Sequence, residues 1–322
     1  MLASVRALLS GIIDYAGMFP PAKLPLEEAI RNYARYRTEP ESWMLGRFVC
    51  PAARLGELAP YLDELFLAGP PLTISALGRG GNTQAEFLTG LQEDLQIIGD
   101  FRVRHRKVVL DVYEVPLSAE VAEQLEKKMI EAFACLHAQA TSILETARSD
   151  LEPFYEVPFF QGWRPFLAGF PDAPWSSSRG ICQGIKLRCG GVETSAFPSP
   201  EQIAGAITCC RERGVLLKAT AGLHHPIRRF DPGVQAKMHG FLNVFAAGVL
   251  TFANRLTEKE VQRIIEDEDA KNFVFDDEGL RWKTHRAKTT QIESARREFI
   301  TSFGSCSFDE PRDDLRALEL IP

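Results

Sequence analysis

The sequence predicts an α/β fold, a single-domain (β/α)8 barrel of the TIM type, and three observations carry that prediction. Short β-rich runs alternate with longer helical stretches, the pattern of a parallel sheet covered by helices. Eight such runs fall within 322 residues, and most are followed by a helical pattern, which suits the length of a (β/α)8 chain. In several runs charged residues occupy alternate positions, as expected where one face of each strand turns into a barrel. A doubly wound open sheet is the alternative.

In chain order the candidate strands are 11–14 (GIID), 46–50 (GRFVC), 72–77 (LTISAL), 107–113 (KVVLDVY), 153–157 (PFYEV), 184–189 (GIKLRC) and 215–220 (VLLKAT). The eighth is 272–275 (NFVF) or, failing that, 249–253 (VLTFA). Helix starts are marked by Ser118 ahead of Glu120 and Glu123, by Ser199 ahead of Pro200 and Glu201, and by Thr257 with Glu260 in capping-box spacing. Residues 161–180, rich in Pro, Gly and Ser, predict a loop with at most one short helix. The barrel is expected over 1–304, with 305–322 as a C-terminal tail that packs back on it.

Charge and cysteine content narrow the function classes. With 43 acidic and 37 basic residues the formal net charge is −6, which excludes a broad phosphate-binding face and hence nucleic acid as the partner. No apolar stretch has the ~18–20 residues that a membrane span needs. The apolar N-terminus carries only Arg6 and is interrupted by Asp14, a poor match to an export signal. Seven cysteines without CxxC spacing argue against a disulfide framework or a thiolate metal site. A cytoplasmic protein is expected, with a small-molecule substrate and homo-oligomerisation left open.

Alternation then sorts the strand residues. Val108, Leu110 and Val112 are expected to face the helices, with Val109, Asp111 and Tyr113 inside. By the same rule Glu156, Lys186, Arg188, Lys218 and Thr220 point inward. Asp111, Glu156, Lys186 and Lys218 would therefore meet on one inner surface, and strands about 4.8 Å apart would bring the two amines close. Either these charges form a structural ion network that fills the barrel, or they form an active site at the strand ends. In the second case a neighbouring cation and burial would lower one lysine's pKa, freeing it to form a Schiff base with a carbonyl compound while a carboxylate moves protons.

The segments GIKLRCGGVETSAFPSPEQIAGAI and GVLLKATAGLHHP resemble the sixth and seventh strands of class I aldolase barrels of the deoxyribose-phosphate aldolase type. The resemblance implies a lyase in which Lys186 forms the Schiff base, Lys218 lowers its pKa, and Asp111 relays protons. It also implies loop glycines near the substrate at Gly190, Gly191 and Gly222. Arg188 and Ala221 depart from that pattern, and so do His224 and His225. Arg188, Thr220, His224, His225 and Asp14 join the glycines as candidate substrate-binding residues, Arg188 for a carboxylate or phosphate.

Two further readings stay open. A divalent metal held by Asp111 or Glu156 with His224 or His225 would serve a metal-dependent lyase or isomerase; otherwise no cofactor is expected. A non-catalytic barrel that binds a small ligand is the other. No dinucleotide fingerprint is present, which speaks against a nicotinamide enzyme.

Overall fold

A computed structural model describes residues 1–126, 130–147, 149–157, 159, 163–164, 167 and 183–322. Its centre is a closed barrel of eight parallel strands, so the (β/α)8 expectation holds. The first seven are Ile13–Tyr15 (β1), Leu45–Pro51 (β2), Leu72–Leu77 (β3), Val108–Pro116 (β4), Glu152–Val157 (β5), Gly184–Arg188 (β6) and Leu216–Thr220 (β7). They neighbour one another in chain order. After β7 come a hairpin of Arg229–Asp231 (β8) and Ala236–Met238 (β9), then a three-stranded antiparallel sheet. That sheet is formed by Phe273–Asp276 (β10), Gly279–Trp282 (β11) and His285–Lys288 (β12). Ile300–Ser305 (β13) is the eighth barrel strand; it pairs with β7 on one side and with β1 on the other.

The eighth strand is therefore neither of the segments expected for it. Residues 249–253 lie within the helix Phe241–Asn254, which is buried along most of its length. A segment apolar all round carries no periodicity to separate helix from strand. NFVF supplies β10, outside the barrel. The true strand, ITSFGS, was hidden by its polar residues, one of which, Ser302, is buried beside Asp14 and Lys218. The expected loop at 161–180 lies almost entirely outside the described residues.

The predicted caps form. Ser199 Oγ accepts from the Gln202 amide at 3.2 Å, and Gly214 closes that helix in the left-handed conformation. Ser118 Oγ accepts from Val121 N at 3.1 Å, and the Thr257 amide donates to Glu260 at 2.8 Å. Apolar faces of the helices and the outward faces of the strands share one large core. No helix among the described residues is long and apolar enough to cross a membrane.

Register decides which side chains enter the barrel. Within β4, Leu110 pairs with Ile74 but Val112 pairs with Ser75, so Asp111 is an extra residue at a bulge. Downstream of it every side chain changes face. Tyr113, expected inside, instead donates to Asp94 of the helix Gln84–Arg104 at 3.0 Å. Val112, expected outside, packs with Phe154 and Leu216 in a small separate cluster. Gly184 lies level with Phe154 across β5 and β6, and a Cβ there would sit 2.3 Å from the Phe154 ring. Only glycine lets that ring fill the layer below the lysines.

Candidate active site at the strand ends

Lys186 and Lys218 are direct register partners on β6 and β7. Between their amines stands a carboxylate that the alternation rule missed, Glu114, turned inward by the bulge at Asp111. Its Oε2 lies 3.0 Å from Lys186 Nζ and its Oε1 lies 2.8 Å from Lys218 Nζ. Ser75 Oγ donates to the same Oε1 at 2.5 Å. Lys186 also pairs with Glu156 at 2.8 Å, and Glu156 takes Arg188 Nη1 at 3.1 Å. Lys218 pairs with Asp14 and donates to Ser302 Oγ at 3.3 Å, while Ser302 donates to Asp14 at 2.7 Å.

The result is a chain of alternating charge, Asp14–Lys218–Glu114–Lys186–Glu156–Arg188. Three cations face three anions, which is how so many charges can leave water together. Burial grades along it. The Lys218 side chain is 1% exposed, Lys186 is 7% and Arg188 is 48%. Burial would raise the Glu114 pKa, but Lys218 and then Lys186 outweigh it and hold the carboxyl well below the usual range. Glu156 is lowered for the same reason, by Lys186 and then Arg188 against its burial. Lys186 runs opposite to the expected direction. Burial would lower it, yet Glu114 and Glu156 together raise it, so the resting amine is an ammonium. The second lysine does not strip it of a proton, because Glu114 stands between the two.

Two expected site residues go elsewhere. The Asp111 carboxylate is held by Arg47 Nε and Nη2, each at 2.7 Å, and does not join the lysines. Asp14 is fully buried as the counter-ion of Lys218, its other oxygen accepts from the Arg47 amide at 2.6 Å, and it does not line the cavity that opens above the network.

Above the network opens a cavity of about 900 Å³ whose floor includes Glu114, Glu156 and Lys186 but not Lys218. It sits at the C-terminal ends of the strands, the face from which barrels work. Arg188, Gly191, Thr220, Gly222, His224 and His225 all reach its wall. Gly190 acts from behind. A Cβ on Gly222, whose φ is +67°, would lie 2.7 Å from Gly190 Cα, so the loops after β6 and β7 meet through two glycines.

Both histidines reach the cavity because they lie on a loop and not on a strand. Each gives its Nδ1 to a carboxylate of the last helix, Asp309–Ala317: His224 to Glu310 at 2.9 Å and His225 to Asp314 at 2.6 Å. The segment expected as a tail thus supplies part of the mouth. Among the described residues no three His, Cys, Asp or Glu side chains are placed to hold a metal ion.

Arg229 Nη2 lies 2.7 Å from His225 Nε2. A guanidinium only donates, so Nε2 must accept and the proton sits on Nδ1. His225 is expected to show an Nδ1–H tautomer in long-range ¹⁵N–¹H spectra, one that survives Arg229→Ala because Asp314 still accepts from Nδ1. An Nε2–H signal in the wild type would contradict this bonding.

No family model and no curated protein sequence matches the chain. Among solved structures, malate synthase of Haloferax volcanii is similar to it with a TM-score of 0.43 and 11% identity, over 96% of this chain and 79% of that one.

Proposed function

We propose that this barrel is a lyase-class enzyme that forms a Schiff base between Lys186 and a small anionic carbonyl compound. The observation that carries the reading is the position of Lys186. It is the network's lysine on the cavity floor, set between two carboxylates, while Lys218 lies sealed beneath it.

The raised basicity of Lys186 fits this chemistry once the charge balance is followed. An ammonium and a carbonyl give a protonated imine and water, so one cation replaces another. Glu156, 2.8 Å away, takes one ammonium proton and so frees the amine for attack on the carbonyl carbon. A second passes from nitrogen to the carbonyl oxygen, and Glu156 returns the first so that the hydroxyl leaves as water. Glu114 and Glu156 then hold the iminium as they held the ammonium. Lys218 keeps Glu114 ionised throughout. Arg188 Nη1 and Nε are engaged by Glu156 and the Gly190 carbonyl, at 3.1 and 3.2 Å, which among the described residues leaves Nη2 for a substrate carboxylate or phosphate.

The resting charge of Lys186 also favours a second reading, in which the ammonium polarises the carbonyl without a covalent bond. Lys186→Arg separates the two, since a guanidinium keeps the charge but stays protonated and cannot form an imine. On a panel of small 2-oxo acids and hydroxyaldehydes, K186R is expected to lose turnover altogether. Turnover retained within about 100-fold would instead favour the electrostatic role.

A further inference from the structure

Carbon–carbon chemistry through an imine needs a base as well as an amine, and among the described residues the cavity's carboxylates are all committed once the iminium stands. Glu114 and Glu156 are bound to cations. Asp231 accepts from the Gly233 amide of its own turn at 2.7 Å. Glu310 accepts from His224.

The two adjacent imidazoles on the cavity wall differ in one respect. Both are anchored through Nδ1 to carboxylates one helical turn apart, but Arg229 also occupies the far nitrogen of His225. His225 has no nitrogen left to work with. His224 Nε2 has no partner among the described residues, and its side chain, 18% exposed, lines the same cavity as Lys186. Because the Glu310 carboxylate can only accept, the Nδ1 of His224 carries the proton and the Nε2 of the neutral ring carries the lone pair. The loop geometry supports this presentation. Ala221 and Gly222 both adopt positive φ, +57° and +67°, and turn the chain at the end of β7 so that successive side chains reach the mouth.

We infer that His224 is the proton-transfer residue of this site, with Glu310 as the residue that positions it. The proposal rests on the Lys186 reading above. With a ketone held as an iminium on Lys186, His224 Nε2 takes a proton from the carbon next to the iminium. The C–H pair becomes a C=C bond, the C=N pair moves to nitrogen, and a neutral enamine faces an imidazolium. When the enamine carbon attacks an aldehyde, the imidazolium gives that proton to the new alkoxide, and water then releases the product from Lys186. The proton balance closes on His224, and no redox partner is involved. The last helix is thereby part of the catalytic apparatus, since it supplies Glu310.

The test uses the full chain with pyruvate as the probe in D2O, following deuterium entry at the methyl carbon by NMR and, separately, cyanoborohydride trapping at Lys186. His224→Gln is expected to slow exchange at least about 100-fold while trapping stays within about threefold of wild type. In His224→Ala, added imidazole is expected to restore part of the exchange. Glu310→Gln, whose amide can offer either a donor or an acceptor to Nδ1, is expected to slow exchange about tenfold. It should also give His224 a mixed-tautomer ¹⁵N spectrum, which a purely structural role would not produce. Exchange unchanged in His224→Gln would overturn the proposal, and so would a wild type that is trapped yet exchanges nothing. Exchange that depends on His224 without any trapping would keep the base assignment and remove the imine. Neither trapping nor exchange would remove both.

Discussion

Lys218→Met is expected to destabilise the protein by about 3–5 kcal/mol, the cost of breaking a buried ion pair from one side. The methionine fills much of the volume, but Asp14, fully buried, would be left facing Ser302 and the Arg47 amide without the cation it directly contacts, and Glu114 would lose one of its two. Lys186→Met is expected to cost less, because its carboxylates border the cavity and can regain water there. Adding Asp14→Asn to Lys218→Met should recover part of the loss, and the double-mutant coupling measures that pair directly. Urea unfolding at pH 7 decides the matter. A Lys218→Met variant within about 1 kcal/mol of wild type would show that the network does not hold the barrel interior together.

Glu114→Gln is expected to have an effect of the same order, about 3–5 kcal/mol, with a distinctive pH dependence. The substitution leaves two ammonium groups on neighbouring strands without the anion they share. In the wild type the Glu114 carboxyl is depressed on folding, so its contribution is fully present above its unfolded pKa, about 4.3, and is lost as pH falls further. Glu156, lowered in the same direction, adds to this acid lability. Lys186 is raised, so its contribution is present below about 10.4 and fades as pH climbs beyond it. Unfolding free energies measured between pH 7 and pH 3 should therefore fall steeply for the wild type and less steeply for Glu114→Gln, which has already lost the larger carboxylate share. Equal slopes would contradict the assigned direction.

The fold class and the meeting of Lys186, Lys218 and Glu156 were legible in the sequence because all three lie on regular strands, where period-two alternation holds. Glu114 was not, because one extra residue in β4 reverses the alternation and nothing in KVVLDVYEVP marks where the bulge falls. The same slip explains why Asp111 was expected among the lysines and is found on Arg47. The eighth strand was missed because its interior-facing Ser302 serves the ion network and so weakens the apolar signal of a buried strand. The partners of the histidines come from a helix some 85 residues further on, a distance over which no local pattern speaks.

Reduction in the presence of small carbonyl compounds tests the central claim most directly. The full-length protein is incubated with pyruvate, acetaldehyde or dihydroxyacetone, treated with borohydride, digested, and its peptides weighed. One compound or more should add its reduced mass to the peptide that carries Lys186, and the adduct should vanish in Lys186→Arg. Adducts scattered over exposed lysines, with none on Lys186, would contradict the account.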